Sequence, residues 1–291
     1  MVELIEEDGQ LVIKIGGQEY AVYHFGRPHP KPFLYPVRAA NGRSLVANEP
    51  TDHRQHHGIS IGYARVGDVD CWSERHNSGR IVHRKFEAVS SGVDIGSFTE
   101  SCDWLTAEGA LLLTDKRTFT FTDTAPEGRV FDLDLTLSAP AGSEVSLLPT
   151  NEAGLPQIRV AAGLTARGGG VLTNAEGKKK EAQTIHQRSP WVDCSGKLGR
   201  LECGIALFDH PNNPGFPTAW FTRDYGPFAP SYVELENDAV VIAPDSPLRL
   251  RYRFYTHTGD AVEGRVQEAW ETYRESVLGV DPSDRPRLHA E

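Results

Sequence analysis

Three histidines stand within five positions, His53, His56 and His57, in the run Pro50-Thr51-Asp52-His53-Arg54-Gln55-His56-His57-Gly58. An imidazole titrates near neutral pH, gives or accepts a hydrogen bond and binds transition metals, so the cluster suits either proton transfer or metal ligation. The apolar run Ile59-Ser60-Ile61-Gly62-Tyr63-Ala64 follows directly and reads as a strand. A loop held by a rigid sheet is where functional side chains concentrate. The plainer alternative is a polar turn whose histidines cap backbone groups.

A second dense segment lies far along the chain. It reads Phe208-Asp209-His210-Pro211-Asn212-Asn213-Pro214, then Trp220, Arg223, Asp224, Tyr225 and Gly226. Prolines at 211, 214 and 217 argue against a regular central strand. Aromatic faces stack on the C–H surface of a sugar ring while Asp, Asn and Arg pair with its hydroxyls, so this composition suits a polar-ligand pocket. The alternative is a long loop whose polar groups satisfy its own backbone. Two carboxylates outside these runs, Glu152 and Asp193, would serve as general bases if buried beside a histidine.

Metal binding is the competing chemistry. His53, His56 and His57 supply imidazoles, and His83 or His210 would add another from a distance. A zinc site takes three or four ligands at roughly 2.0–2.1 Å. The spacing would put all three clustered histidines on one face of a helix, but the segment does not read as helix. In an extended chain His56 and His57 point to opposite faces.

The elements that must position these residues follow a period of two. Phe131, Leu133, Leu135 and Leu137 alternate with Asp132, Asp134 and Thr136; Leu248, Leu250, Tyr252 and Phe254 alternate with Arg249, Arg251 and Arg253. Such alternation predicts sheets with one dry and one wet face. Leu11 to Ile15, a Gly16-Gly17 turn and Glu19 to Phe25 predict a further strand pair, and Asn41-Gly42 suits a hairpin of type I′. One long helical stripe appears, between about Asp260 and Val277, with Asp260 and Glu263 spaced as a capping box. The tail over about 280–291 is rich in proline and charge and reads as mobile. No βαβ rhythm, GxGxxG or phosphate loop is present. The expected fold is mainly β: one large antiparallel β-sandwich domain over residues 1–291, closed by a C-terminal helix.

A net charge of −10 argues against nucleic-acid partners, which select basic surfaces. The four cysteines, Cys71, Cys102, Cys194 and Cys203, form no C-x-x-C pair and read as reduced and buried. The acidic N-terminus lacks the pattern of a signal peptide, and no apolar stretch reaches the roughly 20 residues needed to span a bilayer. The expectation is a soluble cytoplasmic protein.

Several blocks together resemble a known family. They are Lys31-Pro32-Phe33-Leu34-Tyr35-Pro36-Val37, Asp52-His53 with His56-His57-Gly58, Val69-Asp70-Cys71-Trp72, Gly79-Arg80-Ile81-Val82-His83, Pro190-Trp191-Val192-Asp193, and Phe208 to Pro214 through Trp220, Arg223, Tyr225 and Gly226. They look like the signature of a bacterial family that goes by the name PmoA, otherwise a domain of unknown function. The chain departs from its pattern at Gly67-Asp68, where Asn-Gly is usual, at Cys71 in place of Phe, and at His57 in place of Arg. This last difference favours His53 and His56 as the matched pair. The family name implies methane oxygenation, which in a membrane subunit needs transmembrane helices that this sequence lacks. The family's fold resembles the galactose mutarotase supersandwich, and its members resemble partners of sugar dehydrogenases; both imply sugar chemistry.

The leading reading is therefore a carbohydrate-active enzyme of epimerase, lyase or hydrolase type, acting by acid–base catalysis on a small sugar or glycoside. His56 and His210 are its acid/base candidates, with His57 behind them. Asp52 and Asp209 act as orienters or bases, with Glu152 and Asp193 as further carboxylates. Trp220, Arg223, Tyr225, Trp72, Asn213 and Trp191 bind substrate. That reading requires no cofactor. Two alternatives remain: a non-catalytic sugar-binding or regulatory module, and a metal-dependent oxygenase or lyase with a divalent ion on His53, His56, His57 and His83. The imidazole cluster and the Asp209-His210 pair are expected to line one cleft. The oligomeric state is not legible.

Overall fold

A computed structural model describes residues 1–123, 128–233 and 239–278. Its strands are β1 (Val2–Glu7), β2 (Gln10–Ile15), β3 (Gln18–His24), β4 (Phe33–Val37), β5 (Ile59–Tyr63) and β6 (Arg80–Ser90). Next come β7 (Ile95–Leu105), β8 (Leu111–Thr122), β9 (Gly128–Ser138), β10 (Val145–Leu147), β11 (Ala153–Arg159) and β12 (Val171–Asn174). The last six are β13 (Trp191–Leu198), β14 (Leu201–Asp209), β15 (Ala219–Thr222), β16 (Pro227–Ser231), β17 (Val240–Ile242) and β18 (Leu248–Thr258). Two α-helices are described, the single turn α1 (Glu181–Thr184) and α2 (Val266–Leu278).

Alternation along the strands builds a sandwich of two eight-stranded antiparallel sheets. The first runs β1-β2-β3-β4-β5-β11-β16-β15 and the second β12-β13-β14-β18-β9-β8-β7-β6; β10 and β17 pair separately. The two alternating runs read from sequence are neighbours: β9 and β18 pair with Leu137 opposite Leu248 and Phe131 opposite Phe254. Their apolar residues are buried, and the Phe131 and Phe254 rings stack at 4.4 Å. On the wet face Arg253 pairs with Asp132 at 2.7 Å and Arg249 with Asp134 at 2.6 Å. Tyr20 and Tyr23 of β3 meet the aromatic side chains of the opposing sheet, Tyr20 edge-on to Phe121 and Phe131, Tyr23 against Phe98 and Phe119.

Ions lie inside this apolar layer. Glu100, Asp115 and Arg117 are at most 2% exposed. Arg117 donates to both oxygens of Asp115, Trp104 donates to Asp115 at 2.6 Å, and Tyr23 reaches across from the first sheet to donate to Glu100. Burial pushes the Asp115 carboxyl up despite Arg117 beside it; burial would lower the Arg117 guanidinium, but the charge and hydrogen bond of Asp115 outweigh it and keep it charged.

Two local expectations need correction. Helix α2 begins at Val266 rather than near Asp260, because residues 261–265 turn and Arg265 takes a left-handed φ of 52°. Asp260 still caps: its carboxylate accepts from the backbone of Val262 and Glu263 at 2.8 and 3.0 Å. At the Asn41-Gly42 turn only Gly42 has positive φ, so it is not of type I′. Asn41 instead accepts from the Arg43 backbone through its side chain. The tail read as mobile lies outside the described residues. All four cysteines are free and buried, and burial pushes their thiols up, Cys71 to about 12 and Cys203 to about 11. Among the described residues no helix is long and apolar enough to cross a membrane.

Replacing Arg117 by Met strips the buried Asp115 carboxylate of its paired cation and takes a nearby charge from Glu100, which keeps Tyr23 and His83. The expected loss is about 3–5 kcal/mol in denaturant unfolding. Adding Glu100→Gln and Asp115→Asn to the same chain should recover much of it, and a single variant as stable as the parent would contradict the role given to this network.

Candidate functional site

The histidine run lies in the connection between β4 and β5, pinned to β11 by backbone bonds. Arg159 donates its N–H to Gly58 O at 2.8 Å, and Ala47 donates to Arg159 O at 2.8 Å. Gly58 has φ +39°, and a Cβ there would lie 2.0 Å from the carbonyl oxygen of Leu34, so only glycine lets the loop enter β5 this closely. The turn after β15 joins the same strand end, since Val160 donates to Gly226 O at 3.1 Å.

These connections enclose a cavity of about 130 Å³ lined by His53, Gln55, His56, Trp72, Asn151, Glu152, Gln157, Phe221, Arg223 and Tyr225. His53 is stacked between His56 at 4.8 Å and Tyr225 at 4.9 Å. Arg159 lies behind this stack. Its guanidinium bonds both oxygens of Asp52 at 2.8 and 2.9 Å, faces the Tyr225 ring at 4.9 Å and points Nη1 at His56 Nδ1, 3.4 Å away. Burial raises the Asp52 carboxyl, but the hydrogen bonds and charge of Arg159 outweigh it and hold its pKa below the usual range.

His56 is only 4% exposed. Desolvation, reinforced by the Arg159 charge, lowers its pKa to about 3. An arginine can only donate, so His56 Nδ1 is the acceptor and its one ring N–H sits on Nε2. His56 is thus a neutral imidazole of fixed tautomer, a hydrogen-bond donor rather than an ordinary acid or base. Glu152 supplies the carboxylate among the lining residues, its Oε2 accepting from Ser73 Oγ at 3.2 Å. The turn carrying Arg223 and Tyr225 is tied to α1, with Arg223 donating to Glu181 at 3.0 Å. Beneath the cavity, the ammonium of the buried Lys31 donates to the backbone oxygens of Gln55 and Trp72, both at 3.1 Å, and to Glu74.

The cavity thus collects His53, His56, Glu152, Trp72, Arg223 and Tyr225 from the residues singled out in the sequence, with Asp52 one hydrogen bond behind. The others lie elsewhere. Asp209 and His210 do not share this cleft: the loop that holds them satisfies itself. Asp209 accepts from Asn213 and from the Thr218 backbone, both at 2.8 Å, and burial raises its pKa to about 7. His210 accepts from the Asn212 backbone at 3.0 Å and meets Tyr273 of α2 edge-on; burial lowers its pKa to about 3. Asn213 also bridges the backbone of Arg251 in both directions. Trp220 is a core residue donating to Ser189 O at 2.7 Å. Trp191 and Asp193 belong to the outer face of the second sheet, bonded to Gln267 and His257.

The four-histidine metal set is not assembled either. His57 turns away from His56, stacks on Phe33 and bonds Asn48 and Glu74, while His83 pairs with Glu100 in the second sheet. The described residues that could hold an ion are instead His29, Glu49 and His57, whose donor atoms lie within 4.8 Å of one another. Sequence reading missed Arg159, Gln55, Asn151, Gln157, Phe221 and Lys31. Arg159 had a signal: an arginine between Ile158 and Val160 at a strand's end, where a buried cation needs a partner.

With this geometry in hand, the chain can be set beside known proteins. Residues 10–271 match the model of a family described as "Family of unknown function (DUF6807)". The chain belongs to that family. The description assigns the DUF6807 family no activity, so methane oxygenation finds no support in it. No curated protein matches this DUF6807 member. Among solved structures it is similar to a chain described as "Putative kojibiose phosphorylase from human microbiome", at 8% identity and a TM-score of 0.39 over 97% of its own length. It spans 37% of that chain. It is also similar to a GalM/aldose epimerase homologue from C. elegans, at 9% identity and a TM-score of 0.36, over 89% of its own length and 100% of the other.

If Arg159 helps keep His56 neutral, Arg159→Gln should raise the His56 pKa from about 3 part-way towards 6.5, with burial holding back the remainder. Imidazole resonances followed by NMR across pH 3–8 read this directly. An unchanged or lower value would show that burial alone sets it.

Proposed function

We propose that this DUF6807 member is a carbohydrate-active enzyme that moves a proton at a hemiacetal or glycosidic oxygen of a small sugar in the histidine cavity. The observation that carries the reading is His56, a neutral imidazole locked by Arg159 with its N–H on Nε2, lining the same cavity as the Glu152 carboxylate. A fixed donor in a desolvated site stabilises negative charge as it develops on an oxygen, and needs no reorganisation to do so. A neutral imidazole is suited to that role and an imidazolium is not required. Glu152 takes the proton from a sugar hydroxyl and returns it, the general-base half of the chemistry.

The walls fit the same class of substrate. Trp72, Phe221 and Tyr225 offer ring faces and edges, while Gln55, Asn151, Gln157 and Arg223 offer donors and acceptors. At about 130 Å³ the cavity takes the reacting end of a sugar and leaves the remainder outside. Epimerisation, elimination and hydrolysis all use this apparatus. No step in it draws on a metal.

The test is turnover on a panel of aldoses and glycosides, followed by NMR. His56→Ala and Glu152→Gln should each cut the rate by about a hundredfold or more with little change in unfolding temperature. Because His56 stays neutral down to about pH 3, kcat/KM should show no inflection between pH 6 and 7 arising from this imidazole. Full turnover in both variants, or an inflection there that vanishes in His56→Ala, would sink the assignment.

A further inference from the structure

The outer face of the second sheet carries a larger cavity, about 530 Å³, between the β12–β13 edge and the turn leading into α2. That volume lies within the ~300–1,000 Å³ usual for small-molecule sites. Its wall includes Asn174 and Ser195, each 1% exposed. Asn174 Nδ2 and Ser195 Oγ have no hydrogen-bond partner within the protein. Asp193 lies between Trp191 and Ser195 on the same face of β13, and its Oδ2 is also buried and unpartnered. Buried polar atoms nearly always have partners, and leaving them without one is costly. Ser195 Oγ, on the cavity wall, and Asp193 Oδ2, two residues along the same face of β13, point to a ligand that supplies hydroxyls.

Serine, histidine and aspartate here are not wired for nucleophilic attack. His257 turns Nε2 to Asp193 Oδ1 at 2.9 Å and Nδ1 to Thr258 O at 3.3 Å. Both nitrogens face acceptors, so Ser195 has no base. Gly204 separates the two side chains; a Cβ there would stand 2.6 Å from His257 Nε2 and 2.9 Å from Ser195 Cβ. The place binds and does not react.

The lining also sets the class of ligand. Lys179 and Arg265 balance Asp260 and Glu268, so the walls favour neither an anion nor a cation. The Trp191 indole, fixed through Nε1 to Gln267 at 2.9 Å, adds an apolar surface. A neutral molecule with hydroxyls around a C–H face satisfies both demands. We infer that this cavity is a non-catalytic binding site for a neutral mono- or disaccharide, separate from the histidine cavity.

The inference does not rest on the reaction proposed above, and the test keeps the two apart. The full chain is titrated with glucose, maltose and lactose, and with adenosine as a neutral nucleoside for comparison, by calorimetry and saturation-transfer NMR. A saturable sugar site that persists in His56→Ala and is lost in Val262→Trp is expected. Val262→Trp blocks it at the mouth, where Val262 is 84% exposed and replacement does not touch the core. Ser195→Ala should weaken binding by roughly tenfold through the lost hydroxyl, a change that keeps the wall's shape. His56→Ala should leave this binding intact. No saturable sugar binding, binding lost with His56→Ala but kept with Val262→Trp, or a preference for adenosine over every sugar would each overturn the proposal.

Discussion

One guanidinium organises the candidate site. Arg159 ends β11, and its backbone already stitches the histidine loop to the sheet on both sides. Its Nη2 then bonds both oxygens of Asp52, its face covers Tyr225 and its Nη1 fixes the tautomer of His56. A planar fork can do all of this at once because its donors and its face point in different directions; an ammonium cannot. Segments distant in sequence, the loop around residue 52, the end of β11 and the turn at 225, thus share one cation. Lys31 repeats the device one layer below, binding the carbonyls of Gln55 and Trp72. The cavity is held by two buried cations aimed at backbone and carboxylate oxygens.

The sandwich makes that economy possible. Aromatic rings fill the space between the sheets, and the Tyr23 hydroxyl bridges from β3 to the Glu100–Arg117–Asp115 cluster on β7 and β8. A buried ionic cluster adds little net stability compared with an apolar replacement, yet it tolerates few alternative alignments because each ion must meet its partner. On the wet side, the Asp132–Arg253 and Asp134–Arg249 pairs impose the same register on β9 and β18. Strands aligned in this way deliver the ends of β5, β11 and β16, and the loops between them, to fixed positions.

The β character, the wet and dry faces and the C-terminal helix were legible because alternation and helical stripes are local properties of the chain. The histidine loop was legible as well: three imidazoles before a strand announce themselves, and His53, His56, Arg223 and Tyr225 do line one cavity. The loop from Asp209 to Asn213 misled for a physical reason. A sharp, proline-rich turn needs Asp, His and Asn to satisfy its own amides, and that composition is the one a polar ligand would also select. His57 and His56 are adjacent but face opposite ways, a fact of extended backbone that spacing foretold without saying which face held the cavity. Arg159 gave only the hint of a cation among apolar strand residues, because its role comes from distant partners, Asp52 and His56 more than a hundred residues before it and the Tyr225 ring beyond it.

The four thiols carry a separate consequence. Each is enclosed by the sandwich and shifted away from its reactive thiolate form. An alkylating reagent or mild oxidant therefore meets no ready target on the native surface. Labelling of any of these cysteines reports that the layers have parted, so the chain carries its own gauge of breathing between sheets. The same arrangement makes the folded protein indifferent to the redox state of its surroundings, while an unfolded copy is open to cross-linking.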